Sequence, residues 1–384
     1  MKPDVPPSSL YVHVPFCVRK CAYCDFYSEE QPERDLVAAY LGALSEEARR
    51  AAASGAMQTV YIGGGTPTAL QADLLAQLFA VLRRHFDLSA VEEFTVEANP
   101  GTIDEEHVIA MLWAGVNRIS LGVQSLNPAT LRTLGRMHGP EEVHDAVGLL
   151  RRENLGDNLS LDLIFAVPGQ TLHEWRDDIT AAIDLDPDHL STYGLSIPSE
   201  TPMARLVQGG RLAPASDDVY VAMLHGARDL LRHTDFEHYE ISNYALPGRR
   251  CLHNTAYWRN QPYIGLGPAA ASYVGGTRWT NVADVAEYVR RLRTGASPVA
   301  TSETLSPERR ARETAMLNLR TSDGIIVADF REETGFDPLA IFAEVVERHT
   351  AAGLLEIGPD EGGFIRLTPA ALAVADTVLA DFVA

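Results

Sequence analysis

Three of the four cysteines, Cys17, Cys21 and Cys24, fall on one short segment, Tyr11-Val-His-Val-Pro-Phe-Cys17-Val-Arg-Lys-Cys21-Ala-Tyr23-Cys24-Asp-Phe26. They are too close together and too few for the disulfide framework of a secreted domain. Thiolates are soft ligands, and three on one loop can wrap a single cubic iron–sulfur cluster while leaving its fourth iron without a protein ligand. An open iron can bind a substrate or cofactor. The alternatives are a zinc site completed by His13 or three cysteines that merely pack. Structural zinc prefers two spaced ligand pairs, and this spacing is asymmetric. Asp162 is a second chemical signal. It lies inside an apolar run, where an unpaired carboxylate would cost several kcal/mol, so a partner or ligand must accompany it.

These residues must be positioned by the elements around them. Short β-rich runs at 10–14, 59–62, 93–98, 117–123, 158–167 and 189–197 alternate with stretches of helical period, such as Leu36, Tyr40, Leu44 and Ala48, or Leu74, Leu75, Leu78, Phe79 and Leu82. Strand, helix, strand in repetition predicts a parallel α/β sheet with right-handed crossovers, open or curled into a barrel. Unusual residues cluster where each strand ends: the cysteines, then Gly63 to Pro67, then Glu97, then Gln124. Parallel sheets place ligands outside the carboxyl ends of their strands, so these segments converge on one face. Residues 1–235 read as this unit and 236–300 as a segment that covers the sheet. Residues 301–384 read as a winged-helix-like module, with helices at 307–319 and 337–349, strands at 354–357 and 364–367 flanking Pro359 to Gly363, and a final helix.

Composition narrows the function. The chain has 384 residues, 46% hydrophobic and 22% charged, which is ordinary globular usage. Acidic residues outnumber basic ones 52 to 32, and the formal charge of -20 repels phosphate backbones and anionic membranes. Residues 301–384 hold 15 acids against 7 arginines, so the last module lacks a phosphate footprint and reads as a packing or homodimer module. Nucleic acid is not expected as a partner. No apolar run reaches the roughly 18 residues of a membrane span, and the first ten residues lack a signal-peptide core, so a cytoplasmic location is expected.

CxxxCxxC with an aromatic before the last cysteine resembles the radical S-adenosylmethionine (SAM) superfamily, in which the open iron chelates the amino acid end of SAM. Gly63-Gly64-Gly65-Thr66-Pro67, Val96-Glu97-Ala98-Asn99-Pro100-Gly101, Gly122-Val123-Gln124-Ser125, Leu134-Gly135-Arg136-Met137-His138 and Asp162 to Thr171 resemble successive motifs of its oxygen-independent coproporphyrinogen III oxidase branch. The resemblance spans most of residues 10–320 and implies a partial (β/α)6 TIM-like barrel. It implies a [4Fe-4S] cluster on Cys17, Cys21 and Cys24. It also implies SAM contacts from Gly64, Gly65, Thr66, Glu97, Gln124, Arg136 and Asp162, with Tyr11 and Tyr23 beside the cluster and adenine.

Within this branch, the resemblance implies that coproporphyrinogen oxidases carry a further cysteine two positions after the third. Here that position is Phe26, and phenylalanine has no thiol. Ten residues precede Tyr11, fewer than the oxidase's N-terminal extension. Both features resemble the HemW-type haem chaperones, which bind haem and pass it to haem-dependent acceptor proteins. Cys251-Leu-His253-Asn254-Thr-Ala-Tyr257-Trp258 resembles the HNxxYW motif of that group. Imidazole is a common axial ligand to haem iron, which makes His253 the candidate haem ligand and leaves Cys251 as an inert buried thiol. The runner-up function is the radical decarboxylation of coproporphyrinogen III. Whether the chain catalyses any reaction stays open.

Overall fold

A computed structural model describes residues 6–52, 55–359 and 363–383. Six parallel strands run side by side: β1 (Ser9–Val14), β2 (Thr59–Gly64), β3 (Glu93–Ala98), β4 (Arg118–Gln124), β5 (Leu159–Phe165) and β6 (His189–Gly194). The longer helices between them are α1 (Arg34–Ala51), α2 (Ala72–His85), α3 (Glu105–Ala114), α4 (Pro140–Arg152) and α5 (Leu172–Asp184), with α6 (Asp217–Leu231) after β6; the short helices Pro128–Leu134 and Pro202–Gln208 precede α4 and α6. This is the expected partial six-stranded barrel. Ala166, with a φ of 59°, turns the chain out of β5 just before Pro168, so that strand stops earlier than its apolar run suggests.

Strand alternation explains where the polar groups go. On one face, Leu10, Val12, Val14, Val60, Ile62, Phe94, Val96, Ile119 and Leu121 join one apolar cluster with the helices. The other face carries Tyr11, Tyr61, Glu97, Ser120, Ser160 and Asp162. The registers set Tyr11 beside Tyr61, Glu97 beside Ser120 and Asp162 beside Ser191. Central strands of a parallel sheet usually read as continuous apolar runs. A polar inner face is therefore the feature that needs a functional account.

The segment from 236 to 300, expected to cover the sheet, instead extends it at both edges. Asn243–Ala245 and Glu237–Glu240 add antiparallel strands beyond β6. Tyr263–Leu266 pairs parallel with β1, and Ala271–Val274, Thr277–Asn281 and Val299–Thr304 continue outward. Between these edge strands, the helix Leu252–Trp258 crosses the amino-terminal end of the barrel.

Residues 311–382 build a second apolar cluster around Phe330, Phe342 and Phe382. It holds a three-stranded antiparallel sheet ordered Ile325–Ile326, Phe364–Leu367, Leu355–Ile357. The helix expected over 337–349 is broken into Pro338–Ile341 and Ala343–Ala351 at Phe342, whose φ of -114° is not helical. A further helix, Val327–Thr334, escaped the sequence reading. Residues 360–362 of the turn between the last two strands lie outside the described residues. No described helix is long and apolar enough to cross a membrane.

Candidate functional site

The carboxyl ends of the strands open into a cavity of about 490 Å³. Cys17, Cys21, Tyr23 and Cys24 line it from the loop after β1, Gly64, Gly65 and Thr66 from the loop after β2, and Glu97, Gln124, Arg136 and Asp162 from β3 to β5 and the β4–α4 loop. Segments separated by more than a hundred residues thus meet at one site.

Backbone bonds hold the cysteine loop independently of its thiols. Phe16–Cys17 pairs parallel with Glu29–Glu30, so the loop between them closes on itself. Ala22 N donates to Leu134 O at 3.1 Å, and Met203 N donates to Ala22 O at 2.8 Å. The glycine run is pressed against this loop. A Cβ at Gly65 would lie 2.5 Å from Phe16 O, so only glycine lets Gly65 N and Thr66 N reach Val14 O and Phe16 O at 2.8 and 2.7 Å. Gly64 has a φ of 104°, and its N–H donates to Glu97 Oε2 at 3.0 Å.

The polar groups face one another. Tyr61 OH donates to Glu97 Oε1 at 2.8 Å. Burial pushes the Glu97 carboxyl up to about 7, against the two donors that favour its ionised form. Asp162 has the partners its position demanded: Ser120 Oγ and Ser160 Oγ donate to it at 2.8 and 3.2 Å, while burial raises its pKa. Arg136 Nη1 donates to Cys21 Sγ at 3.2 Å, Nη2 donates to Gly122 O at 2.7 Å and to Asn99 Oδ1, and Nε is buried without a partner among the described residues. Thr66 Oγ1 donates to Cys17 Sγ at 3.6 Å. Burial pushes the thiols of Cys17 and Cys24 up, the latter to about 11. A ligand that stabilises thiolates would therefore release protons as it binds.

No group of three or more His, Cys, Asp or Glu among the described residues is gathered tightly enough for a single ion. His13, the fourth ligand of the zinc alternative, has Nδ1 at 3.0 Å from Tyr11 OH and Nε2 at 3.3 Å from Tyr27 O. A cluster offers each thiolate its own iron and does not need the sulfurs to meet at one point. The donors around the sulfurs and the unpartnered Arg136 Nε fit an iron–sulfur cluster with an adjoining anionic group.

Two expected site residues are placed elsewhere. Tyr11 does not line the cavity; its phenol is engaged by His13, and its ring lies 6.3 Å from that of Tyr61. His253 is at the opposite end of the barrel and fully buried. Its Nδ1 is 2.8 Å from Thr59 Oγ1, its Nε2 is 2.9 Å from Tyr257 OH, and its ring stacks on Tyr61 at 5.2 Å. Neither ring nitrogen is open to a metal in this arrangement. Tyr61, Asn99, Ser120 and Tyr193 line the cavity without having been expected there. Their only sequence signal is alternation on the inner strand face or, for Asn99, a place inside a motif.

The profile of the radical SAM superfamily matches residues 11–182, and that of the HemN C-terminal domain matches residues 305–374. A heme chaperone HemW of Lactococcus lactis subsp. lactis is 36% identical over 327 residues, covering 85% of each chain. The heme chaperone HemW of Bacillus subtilis is 34% identical over 354 residues, covering 90% of this chain and 92% of its own. That of Escherichia coli is 40% identical over 272 residues, covering 69% and 70%. The solved coproporphyrinogen III oxidase (HemN) of Escherichia coli, described as a radical SAM enzyme, superposes with a TM-score of 0.85 at 21% identity, over 98% of this chain and 90% of that one. At that identity the likeness is one of fold.

Proposed function

This chain belongs to the heme chaperone HemW family of radical SAM proteins, and from that membership we propose that it binds haem and delivers it to haem-dependent acceptor proteins in the cytoplasm. The observation that carries this reading over coproporphyrinogen oxidation is Phe26. It stands 62% exposed on the cavity wall, where the oxidase pattern calls for a thiol.

We assign the cluster to Cys17, Cys21 and Cys24 and the adjoining SAM to Gly64, Gly65, Thr66, Glu97, Gln124, Arg136, Asp162 and Tyr23. When bound, this pair supplies one-electron chemistry. The chain's own part is to hold it: Arg136 and Thr66 donate to two sulfurs, Arg136 Nε is free for a carboxylate, and Glu97 and Asp162 offer oxygens to an ammonium and a ribose.

Glu97 gives this assignment a pH signature. An ammonium binds the carboxylate form, so below a pKa of about 7 each proton on Glu97 must first leave. SAM affinity, measured calorimetrically on the reconstituted protein, is expected to rise about tenfold per pH unit up to about pH 7 and to fall again where the ligand's own ammonium loses its proton. Glu97→Gln should weaken binding and flatten the profile. A wild-type profile already flat from pH 5.5 to 8.5 would place the ammonium elsewhere.

For haem, His253 remains our ligand, on condition that the helix Leu252–Trp258 leaves the barrel floor. On the barrel floor burial lowers the His253 pKa to about 3; once released from burial the imidazole returns toward its ordinary range and ligates iron in its neutral form. The bond from Tyr257 OH to Nε2 must then open. Haem titration followed by visible absorbance should show His253→Ala losing the ligated spectrum. Tyr257→Phe, which removes the competing bond, should bind haem about fivefold more tightly. An unchanged spectrum in His253→Ala would remove His253 from the haem site.

A further inference from the structure

We propose that Asn99 is a positioning residue that ties two of the cluster thiols into one hydrogen-bonded arc and thereby sets the reduction potential of the cluster. The proposal rests on the cofactor assignment above and extends it to a residue that touches no sulfur.

Asn99 follows β3 and occupies the N-cap position of the short 3-10 turn Pro100–Thr102. Asparagine at that position ordinarily turns its side chain onto the first free amides. Here it makes no side-chain cap bond. Its amide is used in the other direction: Nδ2 donates to Thr66 Oγ1 at 2.9 Å, and Oδ1 accepts from Arg136 Nη2. Each of these partners donates onward to a sulfur, Thr66 to Cys17 at 3.6 Å and Arg136 to Cys21 at 3.2 Å. The result is a continuous arc, Cys17–Thr66–Asn99–Arg136–Cys21.

The chain leaves room for this arrangement. A Cβ at position 122 would lie 2.7 Å from Asn99 Oδ1, so Gly122 makes the space that the amide occupies. The chemistry of the amide is matched to the task. Because its NH2 fills the acceptor site of the Thr66 hydroxyl, the hydroxyl proton is directed at Cys17. Because its carbonyl accepts one guanidinium nitrogen, the other nitrogen is steered to Cys21. Donors to cluster sulfurs spread their negative charge and raise the reduction potential.

Substitution separates these terms. Asn99→Ala removes both tethers and weakens both donations. Asn99→Asp keeps the acceptor for Arg136 but takes the Thr66 proton for itself and adds a negative charge. The test is EPR-monitored potentiometric titration of anaerobically reconstituted protein, with iron and sulfide quantified in every sample. Both variants should titrate at more negative potential than the parent, Asn99→Asp further than Asn99→Ala. Fully loaded variants with the parent's potential would overturn the proposal. Should the Asn99 variants take up too little iron to titrate, Thr66→Val must show the negative shift and Thr66→Ser the parent's value; equal potentials in those two would overturn it as well. A parent chain that forms no iron–sulfur cluster overturns the cofactor assignment and the proposal together, whereas a loaded parent with unmoved variants counts against Asn99 alone.

Discussion

Cys17→Ala, Cys21→Ala and Cys24→Ala should each yield a folded protein that retains little or none of the about four irons per chain carried by the parent. The folded state should survive because the thiols do not hold the loop. Glu29 N to Pro15 O, Gln31 N to Cys17 O and Ala22 N to Leu134 O are backbone bonds that alanine leaves in place. The cluster should be lost because only three thiolates serve it, and no other cysteine lies nearby to substitute: Cys251 is fully buried beside Glu93 at the barrel floor. Iron and sulfide analysis with visible absorbance, alongside circular dichroism, checks both halves. A single cysteine variant that keeps the parent's iron content would remove that residue from the ligand set.

Glu93→Ala should destabilise the barrel by about 3–5 kcal/mol, the usual penalty for breaking a buried charge arrangement from one side. Glu93 is 3% exposed and accepts from Leu252 N at 2.8 Å and His253 N at 3.0 Å, the first amides of the helix Leu252–Trp258. Those amides have no intrahelical partners. Arg118, 2% exposed and within the field of Glu93, would lose a counter-charge. Hydrogen exchange should show the amides of Leu252 and His253 losing protection, with a lowered unfolding temperature. Unchanged protection there would mean that the floor is held by other contacts.

Six strands and their crossovers were legible because alternation, helical period and glycine or proline at strand ends act over a few residues. The convergence of Cys17, Gly65, Glu97 and Gln124 followed from strand polarity, and that of Asp162 from the family resemblance. The barrel floor was not legible. Thr59 and His253 are 194 residues apart, and nothing local to either marks the 2.8 Å bond between them. In the closed barrel both imidazole nitrogens of His253 are engaged, by Thr59 and Tyr257, so a requirement for the helix Leu252–Trp258 to move before haem is ligated was not legible in the motif. Tyr61 is another case, since in sequence it is one more aromatic in a strand. Its bond to Glu97 exists only because β2 and β3 are neighbours. The break at Phe342 was hidden by its apolar neighbours, and the helix Val327–Thr334 by its shortness.

A radical SAM barrel with Phe26 in its cofactor loop should carry haem and leave coproporphyrinogen III unoxidised. One anaerobic experiment tests this most directly. Reconstituted protein loaded with haem is mixed with a haem-free acceptor enzyme, and a parallel sample receives coproporphyrinogen III, SAM and reductant. Haem should move to the acceptor and restore its activity, while no protoporphyrinogen IX forms. Haem that stays bound, together with decarboxylation of coproporphyrinogen III, would contradict the account.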